Sequence, residues 1–357
     1  MSTYDGTGCG RGQFLPPGCG YHTRSRPPAV TETEAIGAWM RFSRGKNTRE
    51  LGRICEAGGI DPRSNEITIA RDLETGTGSE GGYTVHAGVV GALVRARSTY
   101  GQIRERAKLF PRPDGSSFKV PISDDTANFA TVVAEEGDST GGTDPVFAEA
   151  DLTPYKLDSK ILKISEELMA DAQFNMEEYV GTILGERLWR AQERYALIGS
   201  GSGEPEGVTV GGTAALTAAS AAAVTAKELI ELAAGLDPMY RGSRRTTWLM
   251  NNSTLAAIQN LVAGDGHPLL RPLADRPRTL LGHDLIILGD MPGMTAGLKP
   301  IVLGNVEHLG ISEVGGISLQ RFDELYRETG QLGFRAVLRT SSAVLVPSAF
   351  RVLTMHA

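Results

Sequence analysis

The sequence predicts an α+β protein that is organised around one long amphipathic helix. Between residues 175 and 199, apolar side chains recur at steps of three and four, which is the period of one buried helical face. Over residues 220–320, apolar runs of strand length alternate with helical segments, as in a compact α/β domain. Residues 109–150 show strand-like alternation but hold too little apolar surface for an independent core.

The N-terminal part, residues 1–84, is predicted to be an arm that is partly disordered. Residues 1–30 are rich in Gly, Pro and polar side chains, which cannot form a packed core. Up to residue 53 there are eight Lys and Arg against four Asp and Glu, a net charge of +4. Such an arm could contact nucleic acid or an acidic neighbour, and a solvated tail is equally consistent. Thr31 and Glu34 form a capping box, which predicts one short helix here.

A helix over residues 85–108 is expected to join this arm to an extended β-hairpin loop over residues 109–150. Apolar side chains alternate at strand period from residue 118 to 122, and residues 129–136 are the predicted returning strand. Because the hairpin has little apolar surface, we expect a neighbouring subunit to support it. The candidate contact residues are Phe118, Lys119, Val120, Glu135 and Glu136.

The long helix should begin after Asn175, whose side chain can cap its first turn. Its roughly 24 residues, at about 1.5 Å each, give a rod of about 36 Å. The run GSGSGEPEG then forms the predicted helix stop and turn, which contains Gly199, Gly201, Gly203, Pro205 and Gly207. We expect Gly199 or Gly201 to adopt the left-handed conformation that ends a helix, and Pro205 to prevent its continuation.

The remaining elements follow from shorter patterns. Residues 152–164 are predicted to form one long strand before the helix, and the small side chains of residues 209–223 a mobile surface loop. Thr225 and Glu228 form a second capping box. Three strands are predicted between residues 316 and 355, and part of this stretch should pair with the strand before the long helix.

Composition excludes several classes of protein. With 41% hydrophobic and 22% charged residues, the chain is typical of a globular protein of about two domains. The sequence has no run of about 18 apolar residues, so we predict no membrane span. Its N-terminus has no apolar core of the secretory kind, so we predict no signal peptide. The net charge of −6 argues against a dedicated nucleic-acid binder. Cys9, Cys19 and Cys55 lack metal-site spacing and are expected to be free thiols in a reducing cytoplasm.

No catalytic motif is evident. GSGSGEPEG follows a helix and has no Lys-Ser or Lys-Thr, so it does not fit a phosphate-binding loop. The histidines are not spaced as metal ligands; His267 and His283, near Asp265 and Asp284, form the one arrangement to examine. We therefore predict no catalytic residues, no cofactor, no metal site and no enzymatic activity.

The long helix followed by GSGSGEPEGV resembles the major capsid (coat) protein family of tailed double-stranded DNA bacteriophages, whose shell fold is shared with encapsulins. Further segments match that family in the same order: FATVVAEEGD, DPVFAEADLTPYKLDSKILKISEELMADA, WLMNNSTLAAIQNL, LLGHDLIILGDMP, PIVLGN and FRAVLRTSSAVLVPSAF. The resemblance covers residues 75–355.

The resemblance implies an α+β fold, the phage capsid shell fold. Its parts would be an N-terminal arm (1–84), a joining helix (85–108), an extended loop (109–150), a peripheral domain (151–219 and 321–340) with the spine helix (175–199), and an axial domain (220–320 and 341–357). In this family the extended loop lies across the adjacent subunit, and the axial domain gathers around the fivefold and sixfold axes.

The function implied is structural: self-assembly into hexamers and pentamers that form an icosahedral capsid around phage double-stranded DNA. The DNA would be contacted through its phosphates without sequence specificity. The resemblance further implies a phage or prophage protein of the virion, assembled in the host bacterial cytoplasm with a portal. Since the N-terminal region lacks long heptads, we expect a separate scaffolding protein. The alternatives are an encapsulin-type nanocompartment shell and, from a different class, a small α/β enzyme.

One branch of this family cross-links its subunits through a Lys–Asn isopeptide bond assisted by a Glu. If Arg339 and Pro347 are placed on the family's C-terminal Arg and Pro, Gly330 falls at the acceptor position and Val337 at the assisting position. Neither residue can serve, so we predict no cross-linking, although Lys119 could donate an amine.

Overall fold

The computed structural model describes residues 32–41, 49–62, 64–69, 89–123, 147–171, 175–261 and 279–357. Its helices are α1 (Glu32–Arg41), α2 (Arg49–Ala57), α3 (Val89–Tyr100), α4 (Gln102–Arg106), α5 (Glu166–Asp171), α6 (Met176–Ile198), α7 (Val208–Gly211), α8 (Ala226–Ala234), α9 (Pro238–Arg241) and α10 (Asn252–Gln259). Its strands are β1 (Glu66–Ile69), β2 (Lys108–Arg112), β3 (Lys119–Ser123), β4 (Phe147–Asp151), β5 (Tyr155–Asp158), β6 (Leu162–Ser165), β7 (Thr213–Thr217), β8 (Thr246–Met250), β9 (Thr279–Leu280), β10 (His283–Ile287), β11 (Ile301–Asn305), β12 (Leu309–Phe322), β13 (Gln331–Val344) and β14 (Phe350–Thr354).

The described strands form two six-stranded sheets and a separate hairpin. In the first sheet the order is β1-β12-β13-β5, with β2 also pairing with β12 and β6 also pairing with β13. In the second sheet the order is β7-β14-β11-β8-β10-β9. Strands β3 and β4 pair antiparallel with each other. Each six-stranded sheet has its own apolar core, called here the first core and the second core.

Helix α6 is the predicted long helix, and its bounds agree with the prediction to within one residue at each end. The Asn175 side chain accepts a hydrogen bond from the backbone N–H of Glu178 at 3.2 Å, which confirms the predicted cap. Val180 and Leu184 pack in the first core, whereas Leu197 packs in the second core. The helix therefore runs through both cores.

The buried face of α6 is wider than the predicted apolar stripe. Helix α3 lies along it, and a Cβ on Gly185 would come within 2.9 Å of a Leu93 methyl carbon, so a larger residue would require Leu93 to move. The Trp189 indole N–H donates to the Leu93 carbonyl at 3.1 Å. Contact with α3 on one side and β13 on another buries Gln192 as well.

The single helix predicted over residues 85–108 is wrong in its C-terminal half. Helix α3 ends at Tyr100, α4 follows Gly101, and β2 begins at Lys108 and pairs in parallel with β12. A Cβ on Gly101 would lie 2.6 Å from the Arg97 carbonyl oxygen, so the bend between the helices requires glycine.

The short helix predicted after Thr31 is confirmed as α1, but the described part of the predicted arm over residues 1–84 packs on its own chain. Helices α1 and α2 place Ile36, Trp39, Met40 and Cys55 in the first core, all at most 2% exposed. Strand β1 pairs antiparallel with β12. The segments before α1 and after α2 are rich in Gly and Pro, which favoured the prediction of an arm. The apolar faces of these helices are buried only because a sheet that is distant in sequence covers them. Residues 1–31 and 70–88 lie outside the described part of the chain.

The long strand predicted over residues 152–164 is interrupted. Strands β5 and β6 flank Lys160, whose φ of +61° is in the left-handed region that non-glycine residues rarely adopt. The Asp158 side chain accepts a hydrogen bond from the Lys160 backbone N–H at 2.9 Å and holds this bend. Both strands pair antiparallel with β13, which confirms the predicted return of the C-terminal stretch.

The surface loop predicted over residues 209–223 is wrong, because α7 and β7 occupy part of it. Strand β7 pairs in parallel with β14 at the edge of the second sheet. Its Thr and Ala side chains are too small to give a strong strand pattern. The boundary predicted at residue 219 therefore falls too late, since β7 already belongs to the second sheet.

The boundary predicted at residue 320 is also wrong, because β12 pairs with β13 along most of its 14 residues. Leu309 and Ile311 at one end pack in the second core, whereas Ile317 and Leu319 pack in the first. This hairpin and α6 are thus two continuous elements that connect the cores.

Other predictions for the second sheet are confirmed. Strands β8 and β11 are buried along their full length, as their continuous apolar character predicts. Thr225 and Glu228 form the predicted capping box at the start of α8.

Candidate functional site

The glycine-rich turn after α6 closes tightly on itself. Gly201 and Gly203 have φ values of +74° and +75°, so the left-handed prediction holds for Gly201. Gly199, the other candidate, is not left-handed, with φ −59° and ψ 143°. The Gly207 N–H donates to the Gly199 carbonyl at 2.9 Å, and the helix has already ended at Ile198, before Pro205.

Two of these glycines are required by close backbone contacts. A Cβ on Gly199 would lie 2.0 Å from the Pro205 carbonyl oxygen, and one on Gly207 would lie 2.5 Å from the Leu197 carbonyl oxygen. The turn is also fixed to β13, because the Glu206 N–H donates to the Ser342 carbonyl at 3.0 Å and the Ser342 hydroxyl donates to the Glu206 carbonyl at 2.7 Å.

The predicted extended loop has a base that its own chain supports, contrary to our expectation. Phe118 lies 5.9 Å from Phe110 between ring centroids, and the Arg112 guanidinium lies 4.8 Å from the Phe118 ring centroid. Val120 packs against a small cluster that includes Leu345. Glu135, Glu136 and the predicted returning strand lie outside the described residues; the described partner of β3 is β4.

Lys119 is already paired within the chain. Its Nζ lies 2.7 Å from Glu149 Oε2, and both side chains are more than half exposed. The hydrogen bond with Glu149 raises the pKa of Lys119 above its ordinary value. This pair lies on the solvent-facing side of the hairpin base.

The loop base and the glycine-rich turn face each other across an open cleft of about 680 Å³. Ile122 and Glu149 line it from the hairpin, Gly201 and Glu204 from the turn, and Val344 from β13. No Lys or Arg is among the described residues that line it. The described lining is acidic, and of the sequence-predicted residues it contains only Gly201.

A buried polar cluster joins the two cores and was not predicted. We call Arg104, Gln192, Glu313 and Thr340 the joint cluster. The Arg104 guanidinium donates to both Glu313 oxygens, at 2.6 and 2.8 Å. The Gln192 amide donates to Glu313 at 2.9 Å and to the Thr340 hydroxyl at 3.0 Å.

Electrostatics favours the charged form of Glu313. Burial alone would raise its pKa, but the hydrogen bonds and charge of Arg104 outweigh burial and lower the pKa below its ordinary value. Residues 104 and 313 are 209 positions apart, so no local pattern could identify this pair.

Glu193, which follows Gln192 on α6, lies in an environment that has the opposite effect on its pKa. Burial raises its pKa to about 7, even though the backbone N–H groups of Ile103 and Gln102 favour its charged form. Its Oε1 is buried and accepts no hydrogen bond from the described residues. As the pH rises through about 7, the fold therefore comes to hold a poorly solvated carboxylate against the start of α4.

Replacing Glu193 by Gln is expected to raise the free energy of unfolding at pH 8 and to change it little at pH 4.5. Because the pKa of Glu193 is raised in the folded state, its contribution to stability is fully present below its ordinary pKa of 4.5 and is lost as the pH rises through about 7. The expected gain at pH 8 is about 1–3 kcal/mol, because solvent screens part of the interaction. Urea unfolding at the two pH values measures it.

The control is Glu186→Gln, which removes a partly exposed carboxyl from the same helix. An equal effect of Glu193→Gln at both pH values would show that its charge is not what destabilises the native state.

The described residues contain no cluster of His, Cys, Asp and Glu that could hold a metal ion. Asp284 lies 3.5 Å from Arg106 and forms an ion pair with it, while burial lowers the pKa of His283. His267 and Asp265 lie outside the described residues. Among the described helices, none combines the length and apolar character that crossing a membrane requires.

Comparison with known proteins places these features in context. A family model described as the phage capsid family matches residues 81–355. The fold is similar to the capsid of an empty GTA particle computed with C5 symmetry, with 21% identity, a TM-score of 0.60, and coverage of 71% of this chain and 90% of that chain. The native GTA particle capsid, also computed with C5 symmetry, is 20% identical with a TM-score of 0.61, and the match covers 72% of this chain and 91% of that chain. A structure from Microbacterium phage Oxtober96 is 14% identical with a TM-score of 0.53, and the match covers 71% of this chain and 90% of that chain. No curated protein matches this chain.

Proposed function

Because this chain belongs to the phage capsid family, we propose that it assembles into hexamers and pentamers that close an icosahedral shell around double-stranded DNA. The chain is a structural protein of a capsid shell. One observation supports the assembly proposal most directly: α6 and the β12–β13 hairpin each run through both cores. A subunit stiffened in this way transmits a contact at one edge to the opposite edge.

We assign the domains of the shell subunit by sheet. The first sheet, with α1, α2, α3 and most of α6, is the peripheral domain. The second sheet, with α8, α9 and α10, is the axial domain that gathers around the fivefold and sixfold axes. We propose that the joint cluster between them holds the two domains together.

The extended loop is proposed to reach a neighbouring subunit. Strands β3 and β4 pair in register up to Ser123 and Phe147, so residues 124–146 are joined to an ordered base. Phe118 and Val120 hold that base, while Lys119 and Glu149 remain exposed beside it. Glu135 and Glu136 would then make contacts between subunits.

Replacing residues 124–146 by Asn-Gly tests this role. Because Ser123 lies opposite Phe147, a two-residue type I′ turn can close the hairpin without changing its base. We expect the thermal midpoint of the unassembled subunit to be unchanged and closed shells to be absent in electron micrographs.

The matched control keeps residues 124–146 at full length with their order scrambled, which separates sequence from length. Normal shells from the shortened variant would reject the loop contact. Loss of folding in that variant would instead show that the loop supports its own subunit.

The partners and location follow from the same proposal. We propose a separate scaffolding protein and a portal, assembly in the host bacterial cytoplasm, and a final location in the virion. Purified particles should contain nuclease-protected DNA. Particles that contained a cargo enzyme in place of DNA would indicate a nanocompartment shell.

A further inference from the structure

We draw no further inference here: the strongest candidate, the acidic cleft between the base of the β3–β4 hairpin and the glycine-rich turn after α6, is lined by Glu149, Asp151, Glu204 and Glu206, and nothing in the described part of the chain shows what occupies it.

Discussion

Replacing Glu313 by Ala is expected to lower the free energy of unfolding by about 3–5 kcal/mol. Arg104 donates two hydrogen bonds to the Glu313 carboxylate, and both side chains are at most 16% exposed. Without Glu313, the Arg104 guanidinium remains buried without its anion, and the Gln192 amide loses an acceptor. Urea unfolding of the unassembled subunit at pH 7 measures the loss.

The matched control for Glu313→Ala is Glu149→Ala. It also removes a Glu from an ion pair, but the partners Lys119 and Glu149 are more than half exposed. We expect little change there, because water solvates the remaining lysine. Equal losses in the two variants would contradict the role of burial in the joint cluster. A double change, Arg104→Met with Glu313→Leu, should recover much of the stability, since it leaves no buried charge.

The two carboxylates near the joint respond to pH in opposite ways. The pKa of Glu313 is lowered, so its contribution to stability is present above the ordinary value of 4.5 and is lost as the pH falls. The pKa of Glu193 is raised to about 7, so its contribution is lost as the pH rises. Gln192, which donates to Glu313, precedes Glu193 on α6. Low pH and high pH therefore both weaken the region around the joint cluster, through carboxyl groups that lie close together.

Elements with a strong local pattern could be predicted from the sequence. Helix α6 has a helical period over 23 residues and a capping Asn175, and its bounds were predicted to within one residue. Strands β8 and β11 are continuous apolar runs, which buried strands require. The ordered set of segments also identified the family, which the match over residues 81–355 confirms.

Features that depend on distant partners could not be predicted. The bond from Lys160 to Asp158 is local, but that the strand breaks there is evident only once β5 and β6 are seen to pair separately with β13. Strand β7 is recognisable only beside β14. The pairing of Arg104 with Glu313 required β12 to be placed next to α4. In each case a long-range contact decided a local structure.

Replacing Trp39 by Ala is expected to destabilise the subunit by about 3–5 kcal/mol. Trp39 is completely buried, its indole N–H donates to the Ser64 carbonyl at 2.8 Å, and its ring lies 4.8 Å from the Arg321 guanidinium. The change leaves a large cavity in the first core and removes the ring that covers the buried Arg321. Thermal unfolding of the unassembled subunit measures the effect.

Trp39→Phe separates the ring from the hydrogen bond. It keeps an aromatic face over Arg321 but loses the bond to Ser64 and part of the ring volume, so we expect an intermediate loss of about 1–3 kcal/mol. If Trp39→Ala instead unfolded like the wild type, α1 would be an appendage of the kind that the Gly-rich N-terminal sequence suggests. A large loss would establish that the first core includes α1 before any neighbour is present. Contacts between subunits would then be left to segments such as residues 124–146.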